Sequence, residues 1–506
     1  MTLGQGMGRA GELASDLTPV QQKAVEASPL YNADLAPVPS HERRWGTLDI
    51  ANLWIGMSVC IPTYMLASSL ISGGMNWWQA IGTVALGNLI VLIPMLLNGH
   101  AGTKYGITFP VFARASFGTM GTHLASVLRG IVGCGWFGIQ TWIGGIAIYE
   151  CARAQWPTLA ETPVLGLISN AQVQVNAAQF ICFLIFWLLN IGIFWKGMES
   201  IRWVENWGAP LLIAMGLALL GWAWWEADGF GPMLSQPAKF ATTGEFWAFF
   251  FPSLTAMVGF WATLSLNIPD FTREAKSQKA QMLGQFLGLN TTMPFYAFIG
   301  VAVTSATVVI FGEAIWDPVQ LLSRFGSFWL LILSMFALIL ATLTTNLAAN
   351  VLAPASAFSN FLPKAISLRI GGLITGVIGI LMMPWKLVAD PSGYIFTWLI
   401  GYSALLGPIG GILVADYFLV RRTKLELAAL YDPKGTYSYK GGINPAAVIA
   451  LVVAVLPNIP GFLGQVGLME VSALWKNLYH YAWFTGFLVA MGIYYLLMAR
   501  RNAGKA

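Results

Sequence analysis

Hydrophobic residues run in long blocks from about residue 48 to the C-terminus, separated by short polar stretches. About twelve blocks can be counted, near 48–71, 78–98, 121–150, 175–196, 203–226, 246–268, 283–312, 325–350, 367–385, 394–420, 445–466 and 477–499. Most are long enough to cross a hydrocarbon layer of about 30 Å as helices. In lipid the backbone has to satisfy its own hydrogen bonds, and these blocks are far too long for barrel strands. The pattern therefore predicts an all-α polytopic membrane protein. The first 45 residues are polar and lack an apolar core near the start, so they read as a soluble tail and not as a cleavable signal peptide.

Composition agrees with the pattern. The 506 residues are 57% hydrophobic and 10% charged, against roughly 25% charged in a soluble protein. Placing the N-terminus inside puts 21 of the 27 Lys and Arg on the inner side, among them Arg9, Lys364 and Lys505. Five fall outside, and Arg129 is left within the third block. The positive-inside rule then places both termini in the cytoplasm, with the chain in the cell (inner) membrane. The net charge of +5 is accounted for by this topology, and no nucleic-acid partner and no obligate protein partner is expected. Cys60, Cys134, Cys151 and Cys182 show no metal or redox spacing and read as small packing residues. The boundaries that follow are a tail at 1–45, spans one to five at 46–230, spans six to ten at 231–422, a loop with spans eleven and twelve at 423–499, and a tail at 500–506.

Candidate chemistry concentrates in four spans. Trp136 and Gln140 of the third stand at i and i+4, so an indole and a carboxamide are neighbours on one helix face. That pair suits a planar, amide-bearing ring, although it also suits ordinary interhelical packing. The first span carries Gly56 and Pro62 on either side of its midpoint, and the sixth carries Gly259 at a comparable depth, just before Phe260 and Trp261. Glycine- or proline-interrupted helices at matching places of two repeats mark transporter sites, since they free carbonyls for a cation and helix termini for a polar ligand. The eighth span adds Thr342, Thr344, Thr345, Asn346 and Asn350. Such groups can bond across to a neighbouring helix, and adjacent hydroxyls can equally complete the oxygen shell of a hard cation.

With these residues in place the chain resembles the nucleobase–cation symporter family 1, which includes the bacterial sodium–hydantoin symporter and the allantoin, uracil and cytosine permeases. The resemblance runs from about Tyr31 to the C-terminus. It is carried by the segments 136–142, Asn267-Ile268-Pro269-Asp270-Phe271-Thr272-Arg273, 346–350, Met382-Met383-Pro384-Trp385 and Asp416-Tyr417-Phe418-Leu419-Val420-Arg421-Arg422. It implies a leucine-transporter-like fold of five plus five inverted spans with two further C-terminal helices, and alternating access around a central site. It also implies that Trp136 and Trp261 hold the substrate ring, that Gln140 and Asn350 bond its amide edge, and that Leu399 closes over it. Gly56, Val59, Ala341, Thr344 and Thr345 are implied as the shell of a coupling sodium ion, with no other cofactor.

Two positions depart from the hydantoin symporter. Cys60 replaces a glutamine and Phe260 replaces a glycine. The added bulk of Phe260 shrinks the expected pocket, so a small ring such as uracil, dihydrouracil, hydantoin or allantoin is favoured over an aryl-substituted hydantoin. A proton-coupled permease for a purine or cytosine is the alternative on the same scaffold. A membrane enzyme would need a nucleophile–base pair, a carboxylate dyad or a metal cluster at membrane depth, and no such spacing is visible. A channel would favour repeated pore-lining motifs. Arg129 is expected to snorkel or to pair with a carboxylate, for which Asp270 is a candidate unless it pairs with Arg273.

Overall fold

The computed structural model describes residues 13–14, 16–170, 173–196, 198–362 and 365–503. Arg9, Lys364 and Lys505, counted above on the inner side, lie outside them. Among the described residues eight helices are long and apolar enough to cross a membrane, or nine when one bent pair is taken as a single span. That pair is the first span, Thr47–Ser58 and Ile61–Ser72, bent by 59°. The second (Trp77–Tyr105), third (Thr122–Gln155), fourth (Ala177–Lys196) and seventh (Gln278–Phe311) spans are continuous. Several other predicted spans are shorter or interrupted. The fifth lies within Met198–Glu226, the sixth is split into Thr243–Phe260 and Ala262–Asn267, and the ninth is Leu368–Leu381.

Several ends differ from the hydrophobic blocks for local reasons. The ninth span stops early because Met383 takes a left-handed backbone, with φ of 49°, and Pro384 then starts a new turn. The eighth span continues past the apolar block. Phe328–Asn346 runs through a π-helical turn, Leu347–Val351, into Leu352–Phe361. The tenth is also mixed, with π-helical turns at Gly393–Leu399 and Ala415–Val420 flanking Ile400–Val414. Beyond it lie the eleventh span, from Pro445 to Gln465, and the twelfth, Ala482–Ala503.

The packing repeats when each span is exchanged for the one five later. The first span packs along the seventh as the sixth packs along the second, and the third lies on the fourth as the eighth lies on the ninth. The second meets the seventh and the third meets the eighth across the repeat. This is the inverted five-plus-five arrangement. The twelfth span covers the tenth from outside.

The described part of the polar tail before the first span is packed against the bundle. Arg43 is buried and donates to the carbonyls of Val38 and Thr103, and the backbone of Trp45 bonds to Glu274 and Lys276 beyond the sixth span. Arg114, on a short helix Phe109–Phe117 between the second and third spans, donates to Leu30 O, Leu430 O and Asn360 Oδ1, each at 3.1 Å. One guanidinium thereby joins the tail, the end of the eighth span and the loop after the tenth. At the same end of the bundle, Tyr494 of the twelfth span donates to Asp416. This end, where the first described residues and the end of the twelfth span lie, is called the terminal side below.

Candidate functional site

The two broken helices fix the site. In the first span the break falls at Val59 and Cys60, both in extended or irregular backbone. Pro62 sits in the first turn of the second half-helix, where a missing N–H costs nothing. The Cys60 amide donates to Ser58 O and the Thr63 amide to Cys60 O, so Gly56 O and Val59 O lose the donors that a continuous helix would supply. In the sixth span the interruption is at Trp261, two residues after the expected Gly259. Gly259 instead makes room for a neighbour, because a Cβ there would strike Ser403 Oγ and press on Leu399 O of the tenth span. Two tyrosines of the tenth span hold the breaks, Tyr394 donating to Pro62 O at 3.2 Å and Tyr402 to Gly259 O at 2.8 Å.

Between the breaks lies a small, partly open cavity of about 40 Å³, room for roughly three waters. Admitting a planar ring therefore requires the wall to part. Cys60, Trp136, Gln140, Phe260, Trp261, Thr345 and Asn350 all line it, with Met57, Pro62, Arg129, Gly133, Thr263 and Leu264. Trp136 stands edge-to-face with Phe260, Tyr394, Trp398 and Tyr402 at centroid distances of 5.2 to 6.3 Å. Phe260 is also edge-on to Trp261 at 4.9 Å, so it bridges the two indoles. The indole of Trp261 is fixed at its other face and its N–H, being T-shaped to Trp54 at 5.1 Å and donating to Asn88 Oδ1 at 3.2 Å and to Met293 Sδ.

Arg129, Gly133, Trp136 and Gln140 reach the cavity from one stripe of the third span, at i, i+4, i+7 and i+11. The glycines around them let neighbours close in. A Cβ at Gly135 would hit the Trp398 ring, one at Gly133 would hit Pro354, and one at Gly138 would lie 2.5 Å from Gly379 O. Gln140 is buried and its Oε1 has no hydrogen-bond partner. A buried acceptor in that position is costly unless it is paired, so it is available to an N–H donor.

Asn350 stands on the π-helical turn of the eighth span and donates to Asn346 Oδ1 at 3.1 Å. Asn346 in turn donates to Phe137 O, Thr141 Oγ1 and Asn190 Oδ1. A polar chain from the fourth, third and eighth spans thus supports the carboxamide at the cavity. Thr344 and Thr345 both donate to Ala341 O, at 2.7 and 3.0 Å. This leaves the hydroxyl lone pairs available to a cation; of the expected ion shell only Thr345 lines the cavity, and the carbonyls of Gly56 and Val59 are released at the first-span break. All five expected groups offer oxygen, the donor type that a hard cation takes.

Leu399 does not line the cavity; it is fully buried, and its carbonyl accepts from Ser403 beside Gly259. Asn346, already singled out in the sequence, supports the site together with Asn88, Thr141, Asn190, Trp398 and Tyr402, a supporting part that sequence reasoning did not assign. The spacing of Asn346 and Asn350 was visible, whereas Asn88 and Asn190 are single polar residues in long apolar spans, with no local pattern to mark them. Asp270 pairs with neither arginine. Its oxygens accept from the Phe109 amide and from Asn267 Nδ2, and Arg273 meets Glu274 instead. Arg129 is buried and does not reach the interface.

Residues 37–486 match the family described as permeases for cytosine/purines, uracil, thiamine and allantoin. The chain belongs to that family. Among its permease relatives, a purine-uracil permease of Arabidopsis thaliana is 46% identical over 474 residues, covering 93% of this chain and 78% of the relative. An allantoin permease of Bacillus subtilis (strain 168) is 38% identical over 484 residues, covering 95% of each. The permease fold superposes on the inward-facing conformation of Mhp1 with a TM-score of 0.77 at 27% identity, covering 95% of this chain and 96% of that one. Mhp1, a nucleobase-cation-symport-1 family transporter, in a closed conformation with bromovinylhydantoin bound gives 0.74 at the same identity, covering 94% and 96%. A Na+-coupled sialic acid symporter, 12% identical with a TM-score of 0.60 over 95% of each chain, shares the fold. The protein is a multi-pass membrane permease for small heterocyclic compounds.

Proposed function

We propose that this permease carries a small planar imide or amide ring, such as uracil, dihydrouracil, hydantoin or allantoin, by sodium-coupled symport with alternating access. The observation that carries the substrate class is the unpartnered Gln140 Oε1, buried beside the rings of Trp136 and Phe260 on one cavity wall. An N–H of the ring pairs with that oxygen while the aromatic rings take its faces, which contributes on the order of 0.5–1.5 kcal/mol per aromatic pair beyond burial. A ring of equal size without the N–H leaves the acceptor unpaired, and the loss in affinity sets the specificity. The narrow cavity and the Phe260 ring favour small substituents.

Sodium is supported by the donor set. Gly56, Val59 and Ala341 supply carbonyls, and Thr344 and Thr345 supply hydroxyls. An ion bound between the first and eighth spans would hold them in one relative position, and if that conformation binds the ring better, ion and ring bind cooperatively. The excess of Lys and Arg on the terminal side supports a cytoplasmic location for both termini, in the cell membrane.

Uptake of labelled uracil, hydantoin and allantoin into proteoliposomes, with and without an inward sodium gradient, tests this reading. Saturable uptake of at least one ring, stimulated by sodium and losing that stimulation in Thr345→Ala, is expected. No saturable uptake of any ring would sink the substrate class. Sodium dependence untouched by Thr345→Ala would remove the ion site, and stimulation by a proton gradient alone would make protons the coupling ion.

A further inference from the structure

The polar chain behind the cavity settles which end of the Asn350 carboxamide is free. Such a group has a donor end and an acceptor end, and the end turned inward depends on what holds the other. Asn190 of the fourth span donates through Nδ2 to Phe186 O at 2.8 Å, so its oxygen is the end that meets Asn346, at 3.2 Å. Thr141 donates its hydroxyl proton to Phe137 O at 2.6 Å, so it meets Asn346 as an acceptor, at 3.1 Å. Phe137 O accepts from the same group at 3.3 Å. Three acceptors thus surround one end of Asn346, which has to be its NH2 group. Its oxygen is left for Asn350, which answers with Nδ2 at 3.1 Å. The whole chain of orientations is fixed by two backbone carbonyls, Phe137 O and Phe186 O. Asn190 and Asn346 are fully buried, where an amide turned the other way would set acceptor against acceptor. The oxygen of Asn350 is therefore the end left over, on a residue that lines the cavity.

Resting on the substrate class proposed above, we infer that the cavity presents two carboxamide acceptors, Gln140 Oε1 and Asn350 Oδ1, and selects a ring with two N–H donors, Asn346 and Asn190 being the positioning residues that set this polarity. Gln140 and Asn350 line one cavity with room for about three waters, so a ring that fills it meets both. Their helices are also pinned together here, because Thr141, next in the chain to Gln140, accepts from Asn346 one turn before Asn350. A ring with a single N–H pairs with one of the oxygens and sets a carbon against the other, which is left buried and unpaired. The number of ring carbonyls does not enter. Stacking on Trp136 makes no such distinction either, since planar rings of equal size present the same faces.

Hydantoin and succinimide form the discriminating pair. Both are planar five-membered imides with two carbonyls, and in succinimide a methylene replaces one N–H. Each is titrated against the purified full-length protein by calorimetry, with quenching of tryptophan emission alongside. Wild type should bind hydantoin roughly fivefold to a hundredfold more tightly, the range for a buried acceptor left without its donor. Asn346→Leu frees Asn350 to turn its NH2 group inward, so the ratio of the two affinities should fall by at least about threefold. A fold merely loosened by the change would weaken both rings alike and leave the ratio where it was. Asn346→Asp should keep the ratio, since as the neutral acid it donates towards Phe137 O and still turns an oxygen to Asn350. An unchanged ratio in Asn346→Leu overturns the assignment, as does a ratio lost equally in Asn346→Asp. Should Asn346→Leu fail to elute as a monodisperse folded protein, Asn350→Ala decides. It should bring the two affinities within about twofold of each other, and an unchanged ratio overturns the assignment. Wild type that binds neither ring overturns the substrate class together with this assignment, whereas wild type that binds both with no preference overturns the second acceptor alone.

Discussion

At the scale of single residues, the site is an aromatic cluster with a few polar atoms left over. Phe260 sets its size. It touches both indoles, and a ring entering between Trp136 and Trp261 has to displace or stack on it. Phe260→Ala is expected to admit an aryl-substituted hydantoin that wild type rejects, and to weaken the small ring up to about tenfold through lost aromatic contact. A competition series against one labelled small ring, with hydantoin substituents of rising bulk, reads both effects; equal rejection of bulky rings by the variant would exonerate Phe260. Thermal unfolding of the same variant should fall, since removing a buried Phe side chain costs about 3–5 kcal/mol. Much of this chemistry was legible in the sequence, because Trp136 and Gln140 announce themselves by helical spacing and Phe260 by its place before Trp261. What was hidden was which of their polar atoms stay unpaired. That depends on three-dimensional packing, in which Asn88 takes the Trp261 N–H and Asn190 takes the Asn346 amide from spans distant in the chain.

At the scale of elements, the two breaks are made differently. In the first span the chain leaves helical geometry at Val59 and Cys60 and restarts with proline in its first turn. In the sixth it pauses at Trp261 with no proline at the break. Sequence pointed to Gly259 because glycine interrupts helices, yet the residue is inside one, and its missing side chain makes room for the tenth span. Only the tertiary contact distinguishes these two uses of glycine. Gly259→Ala should cost about 1–3 kcal/mol as an overpacked contact, and Ser403→Ala in the same chain should restore part of the loss by removing the hydroxyl it strikes. Melting temperatures of the two single variants and the double variant form the cycle; strict additivity would refute the contact. The hydroxyl pair at Thr344 and Thr345 belongs to this scale too, because its oxygens matter only where a neighbouring break releases carbonyls.

At the scale of the whole molecule, hydrophobic blocks announced a helical membrane bundle, while its inverted repeat was implied by the family resemblance. Residue patterning can reveal the bundle because lipid leaves so few backbone solutions. The terminal side was not legible. A polar tail has no periodicity that foretells its packing, and Arg114 looked like one more positive loop residue. Its guanidinium in fact binds three partners from separate parts of the chain and lies over the Tyr431 ring at 5.2 Å. Arg114→Met is expected to destabilise the fold by about 3–5 kcal/mol, as for a buried charged network losing its centre. Hydrogen exchange should accelerate across residues 16–45 before it does in the third span; uniform acceleration would show that the tail is held by other contacts.

The π-helical turn at Leu347–Val351 ties these scales together through phase. Such a turn holds one residue more than an α-helical turn, and one residue corresponds to about 100° of rotation. Upstream of it are Thr344 and Thr345, within it is Asn350, and downstream is Asn360, which accepts from Arg114. Loss of a single residue there would leave the hydroxyls in place while swinging Asn360 about a quarter-turn off its mark. The spacing between the cavity and the terminal-side clasp is therefore set by an integer, and length variation that a loop would absorb is forbidden to this segment of a lipid-buried helix.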